Sequence, residues 1–383
     1  MTSSRASLRL LFRHNYTIIP GWWGFLRSRY TLVNMAHQSL YRKYRPQSFK
    51  DLVGQDQIRD ALGEQIRSGA VGHAYLFAGS RGLGKTSVAR IFARELKTTD
   101  RDLYEIDAAS HNGVDYIREL SENIYTLPFE SPYKIFILDE AHMLSKGAWN
   151  AFLKTLEEPP AYAIFILATT ELEKVPETVQ SRCQIFEFRK PSRAILAKLI
   201  TEVAKKEGFA VVPAAAELLA LLADGSYRDA LSILEKALAS GGDKKLTLEE
   251  VEAATGAPKQ THVLALLQAL SSADMAQALT AIRTAQDVGV DMTLYLTLML
   301  ESLRTLLLIR SAPELRTVLK EELGADAYAE IETIAKAEKS GITHMTLRAF
   351  LDAASRMRHA PVLALPLELA VMELLDHGST ETK

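Results

Sequence analysis

Phe77 to Arg90 reads "FAGSRGLGKTSVAR" and contains the most informative spacing in the chain. The run fits G-x-x-x-x-G-K-S/T, with Gly79, Gly84, Lys85 and Thr86 at the fixed positions. Glycines in such a loop let successive backbone N–H groups turn inward around a phosphate, and the following helix presents the positive end of its dipole to the anion. The spacing therefore predicts a phosphate-binding loop rather than an ordinary glycine-rich turn.

The residues around this loop have the composition that such a site requires. "AYLFAG" predicts a short apolar strand before it, and "KTSVARIFAREL" has helical periodicity after it. Lys85 would reach the β and γ phosphates of a nucleotide, and the Thr86 hydroxyl would bind Mg²⁺. The predicted nucleotide-contacting run is Gly79, Ser80, Arg81, Gly82, Leu83, Gly84, Lys85, Thr86 and Ser87.

Composition limits the class of protein. A chain of 383 residues predicts two or three domains. The single cysteine, Cys183, excludes an intramolecular disulfide framework and a cysteine-cluster metal site, and fits a reducing, intracellular setting. No apolar run approaches the roughly 18 residues of a membrane span, so we expect a soluble protein.

Charge is unevenly distributed although the formal net charge is only −2. The first 50 residues contain nine Lys or Arg and no Asp or Glu, so all 47 acidic side chains lie in the remainder. An acidic body must bind nucleic acid through a local patch or helix termini and not through its overall charge.

Residues 1–34 differ from the rest of the chain. They contain Arg and Ser but no acidic residue, as organellar transit peptides do, yet they show no sustained amphipathic helix. Met35 then opens "MAHQSLYRKYRPQSF", which has the character of a natural start. We interpret residues 1–34 as a non-native or disordered extension from a start codon assigned too early. A transit peptide and a functional basic arm are the alternatives.

Strand-like and helical runs alternate as far as residue 190, which predicts a mostly parallel sheet covered on both faces. Further strands are predicted at "LYEIDA", "KIFILDEAH", "AIFILATT" and "CQIFEF". From Pro191 strand-like runs vanish and Leu/Ala-rich helices take over. We predict an α/β nucleotide-binding domain over 35–190, a helical lid over 191–242 and a C-terminal helical domain over 243–383.

An acidic pair follows the apolar run in "IFILDE". Because ligands of open α/β sheets bind at the carboxyl ends of the strands, Asp139 and Glu140 would emerge beside the loop. Asp139 would hold Mg²⁺, partly through water, and Glu140 would orient or deprotonate an attacking water. The alternative is a helix N-cap, and the complete phosphate loop upstream favours the functional interpretation.

Three more polar residues are candidates for the site. Thr170 ends the next predicted strand, close enough to sense a γ-phosphate. Arg182 follows a short helix on the far side of the domain from its own loop. Arg228 begins a lid helix in "GSYRDALS", where a guanidinium could close on a phosphate. For both arginines the alternative is an ordinary solvated surface charge.

Eight stretches occur in a specific order. They are "YRKYRPQSFKDLVGQ", "GHAYLFAGSRGLGKTS", "EIDAAS", "DEAHMLS", "FLKTLEEPP", "FILATTELEKVP", "SRC" and "GSYRDALS". This set resembles the bacterial DNA polymerase III gamma/tau family, the clamp-loader ATPases of the AAA+ superfamily. The match runs from about Tyr41 to near the C-terminus and is densest through Leu231.

The resemblance implies roles for individual residues. Thr170 matches the sensor-1 position and Arg228 the sensor-2 arginine. Arg182 matches the arginine finger, which acts in trans on the ATP of a neighbouring subunit. The segment with Arg45, Pro46 and Val53 would border the adenine. The C-terminal helical domain corresponds to the oligomerisation collar of the family.

The resemblance also implies a function. ATP and Mg²⁺ would drive the opening of the beta sliding clamp and its loading onto primed DNA, with no polymerase chemistry in this chain. The expected partners are delta, delta-prime and further gamma/tau copies, in the bacterial cytoplasm at the nucleoid, with no membrane. Alternatives are a replication factor C small subunit, another AAA+ DNA motor, or a non-hydrolysing scaffold, against which the intact Lys85, Thr86, Asp139 and Glu140 argue.

Two departures from the family pattern concern the middle and the end of the chain. Only "TTDRD" separates "ARELK" from "LYEIDA", where the family usually inserts a four-cysteine zinc module. The chain ends at Lys383 without the extension through which long tau forms bind polymerase and helicase, so we expect the short gamma form. The missing cysteines also resemble replication factor C, whereas "LEEPP" and "ATTELEKVP" favour the bacterial family.

The cysteine count predicts that the protein contains no structural zinc, because zinc sites of this family need several Cys ligands and Cys183 stands alone. Elemental analysis of the purified, chelator-washed protein should show zinc far below one ion per chain. Stoichiometric zinc would contradict the prediction.

Overall fold

The structure, a computed structural model, describes residues 38–241, 244–323, 325–337 and 340–376. The chain divides into two units after Ser39, and the second unit is Leu40–Lys383. All elements named below belong to the second unit. The interpretation of residues 1–34 falls outside the described residues.

Five parallel strands form one sheet in the order β2-β3-β4-β1-β5. The strands are β1 (Ala74–Ala78), β2 (Leu103–Asp107), β3 (Lys134–Asp139), β4 (Ala163–Thr169) and β5 (Gln184–Glu187). This arrangement confirms the predicted parallel sheet. Strand β3 stops at Asp139, short of the predicted His142, because a 3₁₀ turn over Ala141–Met143 follows it.

The sheet is covered on both faces because side chains alternate along each strand. Phe136 and Leu138 of β3 enter one core, and Ile135 and Ile137 enter the other. Two helices cover each face, namely α4 (Val114–Ile124) and α5 (Lys146–Glu157) on the first, and α2 (Asp56–Ser68) and α3 (Lys85–Glu95) on the second.

Helix α5 has clear start and stop signals. The Ser145 hydroxyl accepts a hydrogen bond from Ala148 N–H at 3.2 Å, which satisfies one free donor at the helix N-terminus. The helix ends just before Pro159 and Pro160, which cannot continue it. A single turn, α6 (Glu177–Gln180), then connects β4 to β5.

Two buried charges order the segment between α4 and β3. Asp102 is 1% exposed and accepts hydrogen bonds from the backbone N–H groups of Phe129, Glu130 and Ser131. Lys134 is 2% exposed, and its ammonium donates to Asn123 O at 2.7 Å and to Asn123 Oδ1 at 2.8 Å. Each buried charge is hydrogen-bonded to polar partners, and without them the free-energy cost of burying a charge would be prohibitive.

The lid contains helices and one small sheet. Its elements are α1 (Leu40–Lys43), α7 (Arg193–Lys206), β6 (Ala210–Val211), α8 (Pro213–Leu222), α9 (Tyr227–Ser240), β7 (Lys245–Leu246) and α10 (Leu248–Thr255). Strands β6 and β7 pair in parallel. The prediction that strands stop at Pro191 is therefore wrong for these two, which are too short to carry an alternating pattern.

Packing bears on where the lid ends. Leu246 and Val251 are buried in the same cluster as Leu219 and Leu234 of the preceding lid helices. The segment after residue 243 thus packs against the lid, and the domain limit at residue 242 stays a prediction.

The C-terminal part of the described chain is helical. Its helices are α11 (Gln260–Ser271), α12 (Met275–Asp287), α13 (Met292–Ser311), α14 (Arg316–Leu323), α15 (Ala325–Ala335), α16 (His344–Met357) and α17 (Leu365–Asp376). By length and composition α13 could cross a membrane, contrary to the prediction that no segment qualifies. Its apolarity has a simpler cause, since Tyr295, Met299 and Leu303 are fully buried in the core of this helical domain.

We predict that Asp102→Asn destabilises the fold in a pH-dependent way. Burial raises the pKa of Asp102, but the hydrogen bonds from Glu130, Phe129 and Ser131 outweigh it and lower the pKa from 3.8 to about 2. This difference corresponds to about 2 kcal/mol at neutral pH. Because the pKa is lower in the folded state, the stabilisation is complete above about pH 4 and is lost as the pH falls toward 2.

Urea unfolding at pH 7 and pH 3 tests this prediction. The stability gap between the wild-type protein and Asp102→Asn should narrow at the lower pH. The exposed neighbour gives the control, Asp100→Asn, which should cost little at either pH. An equal gap at both pH values would contradict the assignment.

Candidate functional site

The phosphate loop joins β1 to α3 through three glycines that have positive φ angles. Gly79, Gly82 and Gly84 have φ of +144°, +79° and +94°. L side chains rarely adopt these angles, so the glycines are what allow the chain to turn back and start the helix at Lys85. Leu83 and Ser87 are buried and could meet an anion only through their backbone N–H groups, whereas Ser80 and Arg81 are exposed.

Lys85 lies across this loop. Its ammonium donates hydrogen bonds to Gly79 O at 2.6 Å and Ser80 O at 3.0 Å, and the residue is 6% exposed. Burial lowers the pKa of Lys85, while the nearby carboxylates of Glu140 and Asp139 act in the opposite direction. A buried ammonium inside a glycine loop at a helix N-terminus is the donor set that a phosphate requires.

Thr86 and Asp139 lie side by side, as their predicted metal role demands. The Thr86 hydroxyl donates to Asp139 Oδ2 at 2.8 Å, which joins the first turn of α3 to the end of β3. A hydroxyl and a carboxylate are hard oxygen ligands of the kind that Mg²⁺ prefers, with water completing its octahedron. The two side chains therefore fit the group assigned to them.

Glu140 adopts an unusual backbone conformation. Its φ of 48° and ψ of 44° lie in the left-handed region, which costs a non-glycine residue about 1–2 kcal/mol. This turn ends the alternation of side chains between the two faces of β3. Asp139 and Glu140 therefore both lie at the carboxyl edge of the sheet. The hydroxyl of Thr170 donates to Glu140 Oε2 at 3.1 Å. The structure thus brings the predicted base and the predicted γ-phosphate sensor into contact.

The N-terminus of lid helix α9 sits on the phosphate loop. Tyr227 N–H donates to Gly82 O at 3.1 Å, and the Tyr227 hydroxyl donates to Val53 O. Arg228 therefore lies close to the loop, with its guanidinium carbon 4.9 Å from the centre of the Tyr41 ring. Through Tyr227, these contacts bring Val53 and Arg228 next to the glycines of the phosphate loop.

Arg45 lies in the same region. Burial is the main cause of a lowered pKa for its guanidinium, the charges of Arg90 and Arg228 lower it further, and those of Glu105 and Asp139 oppose them. Arg45 is therefore within electrostatic range of Asp139 and Arg228. Pro46 beside it is half-buried. Whether this segment borders an adenine stays a prediction.

Arg182 is separate from these residues. Its guanidinium donates to Glu157 Oε1 at 2.6 Å and to Thr178 O at 2.6 Å, at the end of α6. Among the described contacts, none joins Arg182 to the phosphate loop or to Glu140. Burial raises the pKa of the neighbouring Cys183 thiol to about 12, so this residue is un-ionised and packs against the core.

Two features of the site were missed in the sequence. The ring of His142 contacts Thr169, Glu140 and Glu171, and "DEAHMLS" contained this histidine without indicating its partners. Gly82 lies so close to the lid that an added Cβ would be 2.0 Å from Ser226 Oγ. A contact between residues 144 positions apart leaves no local signal.

Within the described residues, no group of three or more His, Cys, Asp or Glu side chains is arranged to hold a metal ion. The protein ligands proposed for Mg²⁺ are therefore two oxygen atoms only, one from Thr86 and one from Asp139. The zinc prediction stays a prediction, to be tested by the metal analysis described above.

We predict that Gly82→Ala loosens the lid because the methyl group would clash with Ser226. Gly84→Ala is the matched control, since its φ is also positive but nothing lies within 4 Å of the added carbon. Hydrogen exchange of residues 226–231 should be at least about tenfold faster in Gly82→Ala. It should be unchanged in Gly84→Ala, and equal exchange in the two variants would contradict the contact.

Comparison with known proteins connects this site to a family. Residues 97–192 match "DNA polymerase III, delta subunit", residues 196–243 the "ATPase lid domain" of the "DNA polymerase III clamp loader subunit", and residues 246–382 "DNA polymerase III subunits gamma and tau domain III". A solved RuvB branch migration motor of Thermotoga maritima has a TM-score of 0.48 at 19% identity, over 76% of this chain and 91% of that one, a likeness too weak to assign a function.

Among curated relatives, DNA polymerase III subunit tau of Bacillus subtilis is 38% identical over 78% of this chain and 56% of its own length. The tau subunit of Salmonella typhimurium is 33% identical over 89% of this chain and 56% of its own length. The Escherichia coli tau subunit is 36% identical over 73% of this chain and 46% of its own length. The chain thus spans about half the length of these relatives. Three successive family matches along the chain and this level of identity show that it belongs to the gamma/tau family of DNA polymerase III subunits.

Proposed function

We propose that this chain binds and hydrolyses ATP as a clamp-loader subunit of DNA polymerase III. The observation that carries the proposal is the hydrogen bond of 2.8 Å between Thr86 and Asp139. It places a hydroxyl and a carboxylate together at the mouth of a phosphate loop that already holds a buried lysine. Membership of the gamma/tau family supports the same function.

Nucleotide phosphates would be bound by the loop from Gly79 to Ser87, with Lys85 as the principal charge. Mg²⁺, held by Thr86 and Asp139, would neutralise charge on the phosphates when bound. Arg45, Pro46 and Val53 would lie along the adenine side. Arg228, carried by the lid, would sense whether a nucleotide is present.

Glu140 would act as the base for the hydrolytic water. Its carboxylate side chain is one-third exposed, so water can reach it, and the Thr170 hydroxyl fixes one of its oxygens. A general base contributes about 10²–10⁴-fold to such a step when it is correctly placed. Thr170 would thereby connect the base to the γ-phosphate end of the nucleotide.

Arg182 would serve a neighbouring subunit. It lies at the end of α6, apart from the loop of its own chain, where a head-to-tail assembly can bring it to another subunit's nucleotide. The assembly proposed from the relatives comprises delta, delta-prime and further gamma/tau copies. It would act in the bacterial cytoplasm, loading the beta sliding clamp onto primed DNA.

We predict that binding and hydrolysis respond to different residues. Lys85→Ala removes the phosphate-directed charge and should weaken ATP binding by about 10-fold or more. Glu140→Gln keeps the shape but loses the base, so ATP should still bind while turnover falls by at least about 100-fold. Titration with a fluorescent nucleotide and a phosphate-release assay measure the two effects. Normal turnover in Glu140→Gln would refute its assigned role.

We predict that Arg182 acts in trans. Arg182→Ala should leave ATP binding by the isolated chain intact and should lower DNA-stimulated hydrolysis in the assembled complex, since arginine fingers contribute about 10³–10⁵-fold. Mixing Arg182→Ala with Lys85→Ala chains should restore partial activity, because some interfaces then pair an intact loop with an intact arginine. Co-assembly without any recovery would disprove the assignment.

A further inference from the structure

His142 lies between the proposed base and the turn that follows β4. Its Nδ1 is 3.1 Å from Thr169 Oγ1 and 3.6 Å from Glu140 Oε2. Its Nε2 is 3.2 Å from Glu171 Oε1. One ring therefore contacts both the carboxylate of Glu140 and the chain on either side of Thr170.

The ring is held firmly in this position. The His142 side chain is 7% exposed and is carried by the 3₁₀ turn Ala141–Met143, in which Ala141 is fully buried. On the opposite side Thr169 is also fully buried. A buried ring with an oxygen atom against each nitrogen has little freedom to rotate.

The turn after β4 depends on the same hydroxyl that the ring contacts. Thr169 Oγ1 donates to Glu171 O at 3.1 Å and accepts from Glu171 N–H at 3.0 Å. The other carboxylate oxygen of Glu171, Oε2, forms a salt bridge of 2.8 Å with Lys174 Nζ. Thr170, which donates to Glu140, lies between the two residues that the ring contacts.

Glu140 needs such a restraint because its backbone is in the left-handed region. A strained residue keeps its conformation only when its surroundings over-determine it. Thr170 donates a hydrogen bond to one carboxylate oxygen of Glu140. His142 bonds to the turn that presents Thr170, and its ring also lies against the same carboxylate.

We propose that His142 is a positioning residue for hydrolysis, which fixes Glu140 and Thr170 relative to each other. This inference rests on the proposed function, because it requires Glu140 to act as the base for hydrolysis. It assigns His142 no contact with the nucleotide. Its effect acts through Glu140 and should therefore appear in turnover and leave nucleotide affinity unchanged.

Two near-isosteric variants separate the two sides of the ring. His142→Asn keeps an amide nitrogen near the position of Nδ1, and so preserves the contacts toward Thr169 and Glu140. His142→Gln keeps one near the position of Nε2, and so preserves only the contact toward Glu171. The exposed His111 provides the matched control, His111→Asn.

The experiment uses the full chain assembled with its clamp-loader partners, clamp and primed DNA. It measures kcat and KM for ATP, affinity for a fluorescent ATP analogue, and thermal unfolding. We expect His142→Gln to lower kcat by about tenfold or more with affinity unchanged, since small misplacements of a catalytic group have such effects. His142→Asn should stay within about threefold of the wild-type rate, and His111→Asn should match it.

Equal rates in wild type and both His142 variants, or equal losses in the two variants, would overturn the inference and leave the proposed function standing. A loss confined to thermal stability or nucleotide affinity would also overturn it, because that is the signature of a purely structural histidine. Wild-type protein that binds ATP but does not hydrolyse it would overturn the inference together with the proposed function.

Discussion

The hydrogen bond between Thr86 and Asp139 is the contact on which the rest of the site depends. It exists because β1 and β3 are parallel members of one sheet and therefore end at the same edge. The phosphate loop leaves β1 there, and the acidic pair leaves β3 there. Strand β4 lies between them and delivers Thr170 to Glu140. The four predicted site side chains Thr86, Asp139, Glu140 and Thr170 thus lie together, each at the end of a strand or the start of a helix.

The same edge also receives the lid. Gly82 has no side chain, and this lets the N-terminus of α9 approach until Tyr227 N–H bonds to Gly82 O. The conformation of the loop and the position of the lid are therefore linked by direct contact. A ligand that reshapes the loop would move Arg228 with it, and a displaced lid would disturb the loop. Arg182 stands apart, at the end of α6, where Glu157 holds it in place.

Sequence alone predicted those parts of the molecule in which a local pattern is tied to a local structure. The glycine spacing, the apolar run before Asp139 and the strand–helix alternation are of this kind, and the structure confirms the parallel sheet they predict. Thr170 was predicted as a site residue because it follows a clear strand. The left-handed turn at Glu140 and the contact of Gly82 with Ser226 were not predicted, because they depend on residues distant in sequence. Strands β6 and β7 were missed for their shortness, and the apolarity of α13 is explained only by its burial.

Recognition of phosphate by the loop can be measured without altering any residue. Calorimetric titration of the wild-type chain with ATP, ADP and AMP in the presence of Mg²⁺ compares ligands that differ only in the groups the loop should bind. Charge-assisted hydrogen bonds to the outer phosphates should make ATP bind at least about 100-fold more tightly than AMP. AMP binding as tight as that of ATP would show that the loop does not hold the phosphates, and would contradict the assignment of the site.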